Sequence, residues 1–320
     1  MDNILVTGGS GFIGSNLVKR LVREGYRVRV FDNNFRGSRL KLGETMNDID
    51  FYEGDIRNFD QVSQAFIGMD TVFHLAFING TKYFYEIPET VLEVGVKGAM
   101  NTLDAAVANH VQRFILASSS EIYHEPVTIP TPETERAIIP DVMNPRYSYS
   151  GGKLISELLV INYGRKHDFE TMIFRPHNIY GPDMGSEHVI PEFIQRMSEI
   201  SEGFQKERLD FPIQGSGKET RAFCYIDDFV DGVMRMLDAG QSGEIYNIGN
   251  DNEVTIEHLA YQVAELLHLN IRITHHDLQK GGTPRRCPDL RKLKQLGYQP
   301  QVSLKDGLLK TIEWYLKFKC

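Results

Sequence analysis

An α/β fold, a doubly wound parallel sheet with a smaller, interleaved C-terminal lobe, is predicted by three observations. Apolar β-branched runs alternate with helical-period segments as far as Arg175. Gly8, Gly11 and Gly14 stand between the first run and the first helical segment. Beyond Arg175 the texture shifts to longer loops punctuated by Pro176, Gly181, Pro182, Pro191, Pro212, Gly215 and Gly217. Strands alternating with helices imply parallel pairing with both faces covered, and right-handed crossovers then wind the sheet in two directions.

The elements follow in order. Residues 3–7 form a short apolar strand, and 12–23 carry Ile13, Leu17, Val18, Leu21 and Val22 at helical spacing. A second β-branched run at 27–31 completes one strand-helix-strand unit. The alternation continues with a strand at 50–53, a helix at 59–67, a strand at 71–75, a long helix at 89–109 and a strand at 113–117. A helix near 153–166 and a strand at 170–174 finish the sixfold repeat. The chain is expected back at the sheet near 222–238 and 244–248, followed by a closing helix, a strand at 271–274 and a last helix ending near Trp314. This predicts a cofactor-binding domain of residues 1–175 plus roughly 222–250, and a substrate-binding domain of 176–221 and 251–320.

Composition narrows the function classes. The 320 residues are 41% hydrophobic and 24% charged, with 28 glycines and 13 prolines, which excludes collagen-like, disordered and disulfide-scaffold chains. A net charge of −8 argues against a broad phosphate-tracking surface, so no nucleic-acid partner is expected. Cys224, Cys287 and Cys320 are far apart, without metal-ligand spacing, so neither a metal site nor a disulfide is expected. The N-terminal apolar run reads better as a strand than as a leader, and no apolar stretch approaches membrane-spanning length. The expectation is a cytoplasmic protein with no membrane partner.

At the first turn, Gly8 can reverse the chain tightly, Gly11 can admit a pyrophosphate, and Gly14 can let helix pack on strand, while Phe12 and Ile13 open the helix whose N–H groups would bind. Asp32, at the end of the second strand, lies about 20 residues on, where a dinucleotide fold accepts the ribose hydroxyls. Strand, glycines, helix and acid together spell a Rossmann unit. Asp32 repels a 2′-phosphate, favouring NAD over NADP, although nearby Arg36 could partner one. Asp55, after the third strand, reads equally as an adenine contact and as a helix cap.

Tyr149 and Lys153 are four residues apart at the start of a predicted helix, which places phenol and ammonium on one face. A neighbouring ammonium and a cationic ring both favour phenolate, so Tyr149 could take a hydroxyl proton. The run Ser118, Ser119, Ser120, Glu121 stands at the carboxyl edge of the sheet, where such folds bind ligands. Ser119 could share the proton; Ser118 reads as a turn former. Glu121 could assist proton abstraction or elimination beside a keto-sugar, or form a plain salt bridge.

The strings GGSGFIG, HLA at His74 to Ala76, SSSEIY, YSGGK and RPHNIYGP, with GKETRAFCYIDD, YNIGN and TPRRCPDLRKLKQLGYQP later, resemble the extended short-chain dehydrogenase/reductase family of nucleotide-sugar epimerases, dehydratases and decarboxylases nearly end to end. The resemblance implies NAD in the first domain, a nucleoside diphosphate sugar in the second, and a homodimer made through a four-helix contact. It places the proton relay on Ser119, the base on Tyr149 and its lysine on Lys153. The implied cofactor set is Gly8, Gly11, Phe12, Ile13, Gly14, Asp32, Asn33, Arg36, Asp55, Ile56, Leu75, Ala76, Tyr149 and Lys153. The implied substrate set is Thr81, Lys82, Ser119, Ser120, Asn178, Arg221 and Arg286, with Thr81 and Lys82 in a loop, 79–85, that would cover the sugar.

Two departures bear on the reaction. Ser120-Glu121 replaces the Asp-Glu of the dTDP-glucose dehydratases, and resembles instead the UDP-glucuronate decarboxylases and GDP-mannose dehydratases. Gly95 stands where an asparagine is usual, and His177 where an aromatic is. The expected activity is oxidation of a sugar C4 hydroxyl by NAD, with 4-epimerisation as first choice. Decarboxylation or dehydration using Glu121, and net 4-dehydrogenation, are the alternatives. A non-catalytic NAD-binding regulator is the competing class.

Overall fold

The computed structural model describes residues 2–202, 208–276 and 283–318. Seven parallel strands form the main sheet: β1 (Asn3–Thr7), β2 (Arg27–Asp32), β3 (Ile49–Glu53), β4 (Thr71–His74), β5 (Arg113–Ala117), β6 (Glu170–Pro176) and a last strand, Glu244–Ile248. From one edge to the other the order is Glu244–Ile248, β6, β5, β4, β1, β2, β3. The winding reverses between β1 and β4, and that reversal opens a crevice at their carboxyl ends.

Side chains alternate across the sheet as a strand requires. Ile4, Val6, Phe73 and Ile115 enter one core, while Leu5, Val72, Phe114 and Leu116 enter the other. All eight are buried, each contributing about 1.5–3 kcal/mol by removal from water. One core is shared between helix Phe12–Arg23, helix Ile226–Ala239 and the smaller lobe; the other lies under Phe59–Phe66 and Gly98–Ala108. In the lobe, Leu209–Gln214 pairs parallel with Ile271–His276, and Thr220–Ala222 lies between antiparallel Glu253–Thr255 and parallel Arg285–Arg286.

Several elements differ from the sequence expectation. The segment 222–238 does not itself re-enter the main sheet: Thr220–Ala222 ends in the small sheet and Ile226–Ala239 is a helix, so Glu244–Ile248 alone of that segment joins β6. The 79–85 segment is not a bare loop, because Thr81–Glu86 is helical. The long 89–109 helix is Pro88–Leu92, a π turn over Glu93–Lys97, and Gly98–Ala108. Gly95, inside that π turn, sits against Phe77: a Cβ there would lie 2.3 Å from the ring. The helix predicted from 153 begins at Ser148, so Tyr149 lies in its first turn.

Among the described residues no helix is long and apolar enough to cross a membrane, and no group of three or more metal-ligating side chains is found. Cys224 and Cys287 are buried free thiols, and Cys320 lies outside the described residues.

Candidate active site

A cleft of about 450 Å³ opens at the reversal of the sheet. Its floor begins at the glycine turn. Gly8 has φ +73°, and a Cβ on it would fall 2.7 Å from the Ala76 nitrogen at the end of β4. A Cβ on Gly14 would sit 2.1 Å from the Gly8 carbonyl oxygen. The turn therefore exists only because both residues lack side chains. Gly11 is the N-cap of helix Phe12–Arg23 and supplies no side-chain cap, so the helix presents open N–H groups and its positive end to the cleft. Asp32 accepts from the Ser10 and Asn34 backbone N–H groups at 2.9 and 2.8 Å, fixing the acid at the rim. This cradle fits a dinucleotide.

Gly8, Gly11, Phe12, Ile13, Gly14, Asp32, Asn33, Arg36, Asp55, Ile56, Leu75 and Ala76 all line the cleft. Two carry partners that sequence did not disclose. Arg36 donates to Glu187 at 2.7 Å and lies over the Tyr83 ring, so its guanidinium is engaged by the opposite wall. Asp55 accepts from the Arg57 side chain at 2.7 and 3.0 Å and from Asn33 at 3.2 Å, and Arg57 holds its carboxyl below the usual range. The capping alternative for Asp55 is not realised, since Asn58 caps helix Phe59–Phe66.

At the other end the strand β5 delivers Ser118, Ser119 and Ser120 beneath the helix that carries Tyr149 and Lys153. Tyr149 is buried, stacked on Phe84 with centroids 5.0 Å apart and edge-on to Phe77 at 5.1 Å. Phe77 in turn lies beneath the Lys153 ammonium at 4.1 Å. The Gly95 departure thus makes room for an aromatic that seats both residues. Lys153 also donates to the Ala117 carbonyl at 2.6 Å.

The charge balance differs from the sequence expectation. Burial pushes the Tyr149 phenol far above its ordinary range, outweighing the hydrogen bond with Ser119 that pulls it down. Burial also lowers Lys153 to about 7, against the attraction of Glu157. Neither group is pre-ionised by the other; the phenol is neutral in this state, and its acidification needs positive charge brought in with a ligand.

Ser119 caps the short turn Ser120–Tyr123 by accepting from the Glu121 N–H at 3.1 Å, and it lies near enough to Tyr149 to pull that phenol downward against burial. Ser118, read as the turn former, has no hydrogen-bond partner for its buried hydroxyl. Glu121 receives two N–H groups of Arg286, through Nη1 and through Nη2 at 3.2 Å. Burial works against the charged carboxylate, but Arg286, with help from Arg146 and His124, holds it down to about 2. Glu121 is therefore ionised at neutral pH, and cannot serve there as a proton donor.

Asn178, Thr81, Ser120 and Arg286 line the cleft. Two other expected substrate residues do not. Lys82 is exposed and faces Glu86 at 3.9 Å, and Arg221 bonds the Thr220 and Thr283 carbonyls at 2.7 Å each behind Arg286. Arg146, Phe77 and His188, absent from the sequence expectation, line the cleft as well. Arg146 alone carried a usable signal, a cation three residues before Tyr149 behind an Asn-Pro turn.

Three buried histidines stand around this region. His74 meets the Thr7 hydroxyl at 2.9 Å, His177 the Asn247 oxygen at 3.0 Å and His124 the Ser150 hydroxyl at 3.1 Å. Burial lowers them from 6.5 to about 3, 3 and 4 respectively. A depressed folded pKa contributes stability above the unfolded value that is lost as pH falls toward the folded one. The urea midpoint should therefore drop between about pH 6.5 and 5.5, above the range in which ordinary carboxylates take up most of their protons. A flat midpoint across that window would show that these rings are not held neutral.

The sequence profile described as the NAD dependent epimerase/dehydratase family matches residues 4–249. The chain is 34% identical over 310 residues to UDP-glucuronic acid decarboxylase 6 of Arabidopsis thaliana, covering 95% of this chain and 86% of that one. It is 33% identical over 321 residues to a UDP-N-acetyl-alpha-D-glucosaminuronate decarboxylase of Bacillus cytotoxicus, covering 97% of each. Among solved structures it is similar to the UDP-glucose 4-epimerase of Thermotoga maritima, with TM-score 0.87 and 29% identity over 99% of this chain and 100% of that one. The dTDP-glucose 4,6-dehydratase DesIV of Streptomyces venezuelae matches with the same score and identity over 98% and 97%.

Proposed function

The chain belongs to the NAD-dependent epimerase/dehydratase family and its cofactor is NAD; on that premise we propose that it oxidises C4 of a nucleoside diphosphate hexuronic acid and releases C6 as CO₂. The observation that carries this choice over 4-epimerisation is the Glu121–Arg286 pair beside Tyr149 and Ser119. Rotation of a 4-keto sugar gives that pair no task. Relatives of the chain that are named as hexuronate decarboxylases support the same choice.

NAD, when bound, supplies the two-electron acceptor for C4 and afterwards returns the electrons that restore the alcohol. Glycine turn, helix N-terminus and Asp32 hold its pyrophosphate and ribose. Tyr149, made phenolate by the positive charge that NAD would bring into the closed site together with the protonated form of Lys153, would remove the C4 hydroxyl proton through Ser119. The C4 ketone then stands β to the C6 carboxylate. Breaking C5–C6 sends its electron pair onto the C4 oxygen, where Tyr149 and Ser119 donate hydrogen bonds to the developing charge. Glu121, ionised and clamped by Arg286, would hold a water that protonates C5 as the C4 ketone re-forms, and the hydroxide left behind would take a proton from solvent, so one solvent proton is consumed for each CO₂ released.

The test is to incubate the protein with UDP-glucuronate and UDP-glucose and identify the products. A UDP-pentose and CO₂ are expected from the first, and no change in the second. A C4 epimer of UDP-glucose without CO₂ release would establish the epimerase instead, and no turnover of any sugar nucleotide would favour the regulator.

The proposal includes a homodimer. Leu92, Met100, Ile155 and Leu158 are exposed apolar side chains on the two helical segments Pro88–Ala108 and Ser148–Lys166, and a twofold copy of that pair would make four helices. Sedimentation equilibrium should give twice the chain mass, and Leu158→Glu should shift it toward monomer. A monomeric parent protein at micromolar concentration would remove this part.

A further inference from the structure

Six cationic side chains line the cleft, Arg36, Lys41, Arg57, Arg146, Lys153 and Arg286, and five of them are engaged. Arg36 pairs with Glu187, Lys41 with Asp183, Arg57 with Asp55 and Glu93, Lys153 with the Ala117 carbonyl and Arg286 with Glu121. Among the described residues the Arg146 guanidinium has no hydrogen bond or ion pair. The Arg146 backbone N–H donates to the Asn144 side chain at 3.0 Å, which fixes the residue without engaging the guanidinium.

The placement of Arg146 is built rather than incidental. Asn144 caps the short helical turn Pro145–Tyr147, Pro145 fixes its first residue, and Tyr147 packs edge-on against His124 at 4.7 Å. That turn runs directly into helix Ser148–Lys166, so Arg146 is carried three residues ahead of Tyr149, at the reacting end of the cleft and away from the glycine turn. Its charge is felt at both Glu121 and His124.

We propose that Arg146 is the specificity-determining residue for the sugar, binding the C6 carboxylate of a hexuronic acid. The inference rests on the decarboxylase reading and names the group that recognises its substrate. A carboxylate entering beside ionised Glu121 meets a like charge. Arg286 can add only its Nε–H, which is buried without a partner, because Nη1 and Nη2 are already given to Glu121 and Nη2 also to the Thr283 hydroxyl at 3.0 Å, and its charge is already balanced by that carboxylate. Glu121 and Arg286 cancel, and Arg146 supplies the missing positive charge, in a planar fork that matches a carboxylate. A neutral C6 hydroxymethyl group would leave that guanidinium without its ion partner, which selects against hexoses.

The experiment is calorimetric titration of the NAD-loaded protein with UDP-glucuronate, UDP-glucose and UDP, using the parent, Arg146→Gln and Arg146→Lys. Arg146→Gln should weaken UDP-glucuronate by about 10- to 100-fold, the loss expected for one charged hydrogen-bonded pair. UDP-glucose and UDP should change by less than about threefold, and Arg146→Lys should recover part of the uronate affinity. Equal weakening of all three ligands would assign Arg146 to the diphosphate or to the fold and overturn the inference, while CO₂ release by the parent would leave the decarboxylase reading standing. A parent protein that neither prefers UDP-glucuronate nor releases CO₂ from it would overturn both.

Discussion

Tyr149→Phe is expected to reduce turnover by about 10²–10⁴-fold, the usual contribution of a positioned acid-base group, while leaving NAD affinity and the denaturation midpoint close to the parent values. The separation follows from how the ring is held. Phe84 stacks on it and Phe77 meets its edge, and both contacts are made by ring carbons that phenylalanine keeps. The deleted atom is the hydroxyl, whose partner is Ser119. Because burial leaves the free-protein phenol neutral, Tyr149 gains basicity only from positive charge arriving in the closed site, so its loss appears in kcat rather than in stability. Titration of NAD into both proteins, beside initial rates, checks the two halves. Near-parental kcat in the variant would mean that another group takes the C4 proton.

The sheet was legible because its signals are local. Period-two and period-3.6 patterns mark each strand and helix, and the glycine turn is dictated by contacts no side chain could survive, such as the 2.1 Å approach at Gly14. Tyr149, Lys153, Ser119 and Glu121 were legible for the same reason: each sits beside a strand end or in one helical turn. What was hidden depends on distant pairing. Nothing near Arg36 announces Glu187, 151 positions away, and nothing near Glu121 announces Arg286, 165 positions away. Charge states were hidden too, since the expectation weighed Lys153 against Tyr149 without the burial that dominates both. Lys82 failed differently: a helix, Thr81–Glu86, replaced the expected loop and turned Thr81 to the cleft and Lys82 toward Glu86.

Glu121→Gln is expected to leave the first half of the reaction and stop the second. Oxidation at C4 uses Tyr149 and Ser119, and Ser119 keeps its bond to the residue-121 backbone N–H whatever side chain follows. About one equivalent of 4-keto sugar per bound NAD should still form, whereas the UDP-pentose should appear about 10²–10⁴-fold more slowly, because the amide has lost the charge that orients water toward C5. The same change strands Arg286, whose side chain is 12% exposed, opposite a neutral amide. Because the Glu121 side chain is 30% exposed, the pair is only partly buried, so the loss should fall below the about 3–5 kcal/mol of a fully buried pair, and the amide oxygen, which still accepts one N–H, reduces it further. Rate and stability must therefore be read separately. Quenched single turnovers identify which sugar accumulates, and urea denaturation shows how much of the protein remains folded during them. Arg286→Met, which removes the cation while leaving Glu121 in place, supplies the contrast: it should raise the Glu121 pKa from about 2, since Arg286 is what opposes burial there, and so make pentose formation pH-dependent where the parent is not. Pentose formation at the parent rate by Glu121→Gln would show that C5 receives its proton without this carboxylate.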